Sequence, residues 1–191
     1  MTLRRYGLAA PALLAAYGIL RMSGDAQSPG TVWAVGHLLL LGSLALFVPA
    51  VLDLRRQASA ATAATAAAVI AVLGLAAGMA QAAIDLVVGL RATDQADMDT
   101  LFLAVKAHPA VTPAVYTVGP LLFYVGLLAL LVVRSAGRSA GRPVGAARWL
   151  VPLLALAGTA AMAVGLDLLV VGALCYGIAL AWAPRTAPAC A

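Results

Sequence analysis

The sequence predicts an all-α protein built as a polytopic bundle of transmembrane helices, and three observations lead there. Apolar residues make up 64% of the chain against 10% charged, and the mean hydropathy is +1.02, far from the profile of a soluble domain. Apolar stretches long enough to cross a bilayer recur along the chain. The cations fall in small groups between those stretches, as orientation signals do.

A helix crossing a hydrocarbon core of ~30 Å needs about 20 apolar residues. The first candidate is YGLAAPALLAAYGIL, Tyr6 to Leu20, and the second is TVWAVGHLLLLGSLALFVPAVL, Thr31 to Leu52. The third runs from about Ala61 to Leu90 and is rich in small residues. Its GxxxG pair, Gly74 and Gly78, lets neighbouring helices approach closely, which places this helix inside the bundle. Residues 91–109, RATDQADMDTLFLAVKAHP, hold three of the seven acids and set Leu101, Phe102 and Val105 on one side at helical spacing. A short interfacial helix, an external lid over one end of the bundle, is expected there. The fourth span is Ala110 to Val133. After it, residues 134–148 repeat R-S-A-G as a flexible basic loop, suited to setting orientation and touching anionic lipid. The last apolar stretch, Trp149 to Trp182, is 34 residues long. As one helix it would extend ~50 Å, so a hairpin turning at Val164 to Asp167 is expected, each arm a little short.

Charge tests this six-span count. With the N-terminus in the cytoplasm, Arg4, Arg5, Arg55, Arg56, Arg134, Arg138, Arg142, Arg148 and Arg185 face inward, while Arg21, Arg91 and Lys106 face outward. Nine against three is a positive-inside bias. A five-span alternative moves only Arg185. The chain thus reads as one integral domain, residues 1–191, of an inner (cytoplasmic) membrane. Arg4 and Arg5 before an apolar run, with GDA at Gly24 to Ala26, also fit a signal peptide, but the bias works best with the segment retained.

Several chemistries are excluded. The cations have no aromatic interleaving, so nucleic acid is not an expected partner despite a pI near 9.8. No phosphate loop, HExxH or zinc pattern occurs, and no metal or cofactor is expected. Cys175 and Cys190 form no CxxC, so neither a disulfide framework nor a redox centre is indicated. Asp94, Asp97 and Asp99 read as solvated, with a loose divalent-cation site as the alternative. Asp53 beside Arg55 and Arg56 reads as a surface ion pair.

There is no Glu, so carboxylate chemistry reduces to seven Asp. Asp85, with Gln81 one turn away, lies in an otherwise apolar helix, where an ionisable group points to function. Helix parity brings other polar groups to the same, lid-side half: His37 in the second span, Tyr17 at the end of the first, Tyr116 early in the fourth, Lys106 and His108 before it, and Asp167 in the last turn. Simpler roles stand beside these. Asp85 would pair with Arg91, His37 would bond a carbonyl, Asp167 would cap the last helix, and His108 would end the lid. Together the set describes a half-apolar cavity with an acid, imidazoles, an amide and phenols. A carboxylic acid that keeps its proton there is a donor, and an imidazole on its other oxygen stabilises the conjugate base.

In size, in its span pattern, and in stretches such as VGHLLLLGSLALFVPAVLDL and QAAIDLVVG, the chain resembles the small bacterial membrane-bound terpene cyclases of meroterpenoid pathways. The resemblance implies protonation of an alkene or epoxide of a lipophilic prenylated substrate, then cyclisation of the carbocation in a greasy, aromatic-walled cavity. Asp85 would be the donor and His37 would sharpen it. Trp33, Tyr116, Phe123, Tyr124 and Tyr176 would supply ring faces. Related fungal enzymes pair a Glu with an Asp; here Asp167 would have to replace one of them. A proton-responsive transporter or sensor subunit built on Asp85 and His37 is the second expectation, although inverted halves are lacking. The third is an assembly protein whose polar residues only specify packing.

Overall fold

The computed structural model describes residues 2–23, 27–137 and 148–182. The possible cleavage site at Gly24 to Ala26, most of the basic loop, Arg185 and Cys190 lie outside them. Among the described residues the chain is all-helical. The helices are α1 (Thr2–Arg21), α2 (Thr31–Arg56), α3 (Ala61–Arg91), α4 (Gln95–Lys106), a π-helical segment (Thr112–Thr117) leading into α5 (Val118–Ala136), α6 (Leu150–Val164), a 3-10 turn (Leu166–Leu168) and α7 (Leu169–Trp182). Three of them, counting the π segment with α5, are long and apolar enough to cross a membrane; α1, α6 and α7 are shorter apolar helices.

Six helices close into a ring in the order α1, α2, α3, α5, α6, α7, with α7 returning to α1. Phe47, Phe123 and Tyr176 meet at its centre, with ring centroids 5.1 to 6.4 Å apart. On the outside, large aliphatic side chains point away from the protein on every helix of the ring: Ile19, Leu38, Leu73, Leu121, Leu153 and Leu174 are each more than half exposed. The packing therefore buries small, aromatic and polar groups together with leucines such as Leu54, Leu75 and Leu130, and leaves a further set of large aliphatic side chains on the outer face of every ring helix, where a water-soluble bundle would carry polar ones. Ser43 ties α2 to the Ala10 carbonyl of α1 at 2.8 Å. Thr159 donates to Ala155 O at 2.9 Å, so its oxygen receives the Tyr176 hydroxyl at 2.7 Å and links α6 to α7.

The expected close approach of α3 is present at Gly74 and not at Gly78. A methyl group at Gly74 would collide with the backbone of Phe123, and one at Gly126 with the backbone of Ala71, so α3 and α5 cross with their main chains in contact. Gly78 meets only the end of the Leu44 side chain, at 3.4 Å. Arg134, counted by sequence with the basic loop, is instead a buried residue of α5 that donates to Gln57 Oε1 at 3.2 Å. The hairpin between α6 and α7 turns where expected, at Gly165 to Leu168. Asp53 pairs with Arg56 at 3.4 Å, an exposed contact one helical turn long.

The lid is helix α4. Asp94 caps it by accepting from Asp97 N at 2.9 Å, while Asp97 accepts from Thr93 N at 3.0 Å, a reciprocal cap that occupies two of the three acids expected to be solvated. Asp99 accepts from Gln95 at 3.0 Å. The apolar side of α4, Met98, Leu101, Phe102 and Val105, packs on Trp33 and Val88, which fixes the lid across the ends of α2 and α3.

Candidate functional site

Beneath α4 lies a cavity of about 380 Å³. Its wall follows one rule of helix geometry: residues four apart share a face. Tyr17 and Arg21 come from α1, Trp33 and His37 from α2, Gln81 and Asp85 from α3, Phe102 and Lys106 from α4, and Tyr116, Pro120 and Tyr124 from the π segment and α5. Leu14, Leu40, Leu44, Met162, Leu166 and Leu169 make the rest of the wall mostly aliphatic, and Gly78 leaves room at its side.

Asp85 is the polar centre. Tyr116 donates its phenol hydrogen to Oδ1 at 2.7 Å. The other oxygen, Oδ2, faces His37 Nε2 at 3.8 Å, beyond hydrogen-bond range, with both side chains largely buried. His37 Nδ1 lies 2.8 Å from the carbonyl of Trp33, one turn back. A carbonyl only accepts, so Nδ1 carries the hydrogen, and a neutral ring presents its Nε2 lone pair toward Asp85. The pair can therefore hold one mobile proton, as acid with imidazole or as carboxylate with imidazolium.

Trp33 holds this arrangement from behind. Its ring stacks on His37 with centroids 4.2 Å apart, and its Nε1 donates to the backbone carbonyl of Asp85 at 2.8 Å. The indole lies against Gly89, where any side chain would collide with it. One tryptophan thus fixes the imidazole and the carboxylate-bearing turn together. Tyr17 meets His37 edge-on at 5.9 Å, and Arg21 Nη1 reaches the Tyr17 hydroxyl at 3.5 Å. The Lys106 ammonium sits 5.6 Å from the ring centre of Tyr116 and 5.7 Å from that of Phe102. Gln81 makes no hydrogen bond with the described residues, and its amide is open to a ligand.

Tyr116 reaches Asp85 because α5 begins in a π-helix. Val118 N donates to Pro113 O, five residues back, and Thr117 Oγ1 donates to Thr112 O at 3.2 Å. Pro120 has no N–H for the Tyr116 carbonyl, so a regular helix would be broken here in any case. A methyl group at Gly119 would collide with the Ala114 carbonyl oxygen; only glycine allows the wide turn.

Of the residues singled out by sequence, Asp85, His37, Gln81, Trp33, Tyr17, Tyr116 and Tyr124 line the cavity, and four do not. Asp167 is exposed in the 3-10 turn and makes no capping bond with the described residues; Leu169, two residues on, is buried at the cavity wall instead, while Leu166 borders the wall and stays half exposed. His108 is exposed after α4 and lines a separate groove of about 540 Å³ with Arg91, Val87 and Leu101. Phe123 and Tyr176 are buried in the ring centre, with Tyr124 between them and the cavity. The expected alternative partner of Asp85, Arg91, faces that separate groove. Sequence reasoning treated Arg21 only as an orientation signal, and it placed Lys106 at the lid-side end with the other polar groups without giving it a role. Their spacing of four from Tyr17 and Phe102 was the signal available.

Compared with known protein families, with curated proteins and with solved structures, the chain matches none.

Proposed function

We propose that the chain is an inner-membrane protein of six spans, both termini cytoplasmic, and that its cavity is the active site of an acid-initiated terpene cyclase acting on a lipophilic prenylated substrate. The span count and orientation are supported by the outward leucines on all six ring helices, α6 and α7 included, and by the nine-to-three distribution of cations. The observation that carries the function is the carboxyl of Asp85, held by Tyr116 at 2.7 Å within a cavity walled by rings and aliphatic side chains.

In this reading Asp85, protonated, delivers its Oδ2 proton to an alkene carbon or epoxide oxygen. The remaining carboxylate keeps the Tyr116 hydrogen bond and faces His37. The cation closes onto a neighbouring double bond while Tyr17, Trp33, Phe102 and Tyr124 offer ring faces to it. Loss of a proton to Asp85 or His37 Nε2 ends the sequence and restores the acid, so substrate and product have equal mass.

Asp85→Asn keeps the shape and removes the transferable proton. Turnover of a farnesylated aromatic acceptor in membranes is expected to fall by ~10²-fold or more, with thermal unfolding in detergent unchanged. His37→Ala is expected to reduce turnover less. Full turnover by a folded Asp85→Asn protein removes Asp85 from the mechanism. The 3.8 Å gap between His37 and Asp85 favours a second reading, a proton-responsive transporter or sensor subunit in which protonation of His37 closes the gap. Wild-type protein that converts no prenylated substrate, yet shows pH-dependent Trp33 fluorescence lost in His37→Ala, decides for it.

A further inference from the structure

Two cations line the cavity without contacting the carboxyl of Asp85. Arg21 ends α1 and is held against Tyr17; Lys106 ends α4 and hangs over the rings of Tyr116 and Phe102. Among the described residues neither makes an ion pair, and the one carboxyl in the wall, Asp85, is engaged by Tyr116 and faces His37. Topology gives these charges no role. In the proposed orientation the lid end is the one where cations are disfavoured, yet two of its three, Arg21 and Lys106, line this one cavity. Opposite them the wall is aliphatic, formed by Leu14, Leu40, Leu44, Met162, Leu166 and Leu169. Two positive groups at the rim of an apolar chamber match an amphiphile with a negative end.

We propose that Arg21 and Lys106 bind a terminal oxyanion, a carboxylate or phosphate, on the substrate, and so hold its prenyl chain in the cavity beside Asp85. This inference rests on the cavity being the substrate site, but not on its chemistry. An anchored head fixes which double bond lies next to the acid, and the guanidinium supplies paired donors while the ammonium supplies a point charge.

The test measures binding to the full chain in phosphatidylcholine nanodiscs, with Trp149→Phe and Trp182→Phe leaving Trp33 as the reporter. Three probes share one chain: farnesol, farnesoic acid and farnesyl phosphate, each corrected for partition into protein-free discs. Farnesoic acid or farnesyl phosphate is expected to bind at least about tenfold tighter than farnesol, and which of the two leads identifies the head. Arg21→Gln with Lys106→Gln is expected to erase that preference while farnesol binding stays within about twofold. Should the double variant fold poorly, Arg21→Lys and Lys106→Arg are expected to keep the preference. Equal binding of all three probes to the wild type, or a preference that survives the double Gln variant, overturns the inference. Inorganic phosphate alone binding as tightly as farnesyl phosphate also overturns it, because the chain would then contribute nothing. The preference is expected to persist in Asp85→Asn. Wild type that prefers the anionic chain but cyclises no substrate refutes the cyclase reading and leaves the head site standing.

Discussion

Replacing Gly126 by alanine tests whether the contact between α3 and α5 has the closeness described. The added methyl group would collide with Ala71 N and lie 2.7 Å from both Ala67 O and Ala71 Cα. All three are main-chain atoms, so no side chain can rotate aside. Restoring ordinary contact at ~3.5–4.0 Å requires the helices to separate by about 1 Å, and overpacking of this kind costs about 1–3 kcal/mol. At ~2–4 °C per kcal/mol for a chain of this size, the unfolding midpoint should fall by roughly 2–12 °C. Gly78→Ala is the control. Its methyl group meets only Leu44 Cδ1 at 3.4 Å, an ordinary contact with the end of a flexible side chain, and its midpoint should move by no more than ~2 °C. Intrinsic tryptophan fluorescence in detergent, scanned at one fixed rate because unfolding of such proteins is often irreversible, gives both values. An unchanged midpoint for Gly126→Ala, or an equal fall for Gly78→Ala, would show that the main chains are not in contact there.

The Tyr116 hydroxyl can be removed without its ring. In Tyr116→Phe the Lys106 contact survives, the 2.7 Å donor to Asp85 is lost, and turnover of a farnesylated acceptor should drop about tenfold, as expected when a charge-assisted hydrogen bond of ~1.5–3 kcal/mol is only partly replaced by water; unaltered turnover would make the bond incidental to catalysis. For topology, cysteines placed at Gln95 in α4 and at Gly137 after α5 should differ in intact cells, the first reacting with a membrane-impermeant thiol reagent and the second protected. Labelling of Gly137 from outside would invert the proposed orientation.

Much of the fold was legible because lipid and water leave coarse marks on a sequence. A run from Trp149 to Trp182 is too long for one crossing, so a turn near Val164 to Asp167 followed from length alone. Leu101, Phe102 and Val105 marked the inward side of α4 by their spacing. Parity alone put Tyr17, His37, Gln81, Asp85 and Tyr116 at one end. Rotation about each helix axis was not legible. Whether Asp167 or its neighbours face inward depends on a 3-10 turn whose pitch differs from that of the helices it joins, and the structure turns Leu169 in and leaves Asp167 out. His108 lies past the end of α4, where helical spacing no longer predicts direction. Phe123 and Tyr176 were expected at the cavity because they are aromatic, but position along the helix puts them deeper, in the ring centre. Arg134 was grouped with the basic residues that follow it in sequence, whereas Gln57, distant in sequence, holds it inside.

The wide turn from Thr112 to Thr117 sets the start of α5, the fourth helix of the ring, apart from the rest of it. Beyond Pro120 the helix is clamped to α3 at Gly74 and Gly126. Before it, the π-helical turn packs on α3 at Gly119, and the ring of Tyr116 lies below the Lys106 ammonium of α4. Tyr116 is therefore carried by a segment packed on α3 and α5, while its ring meets the charge of α4. A displacement of α4 would change the charge above the Tyr116 ring while the hydrogen bond to Asp85, made between two segments packed on each other, stays in place.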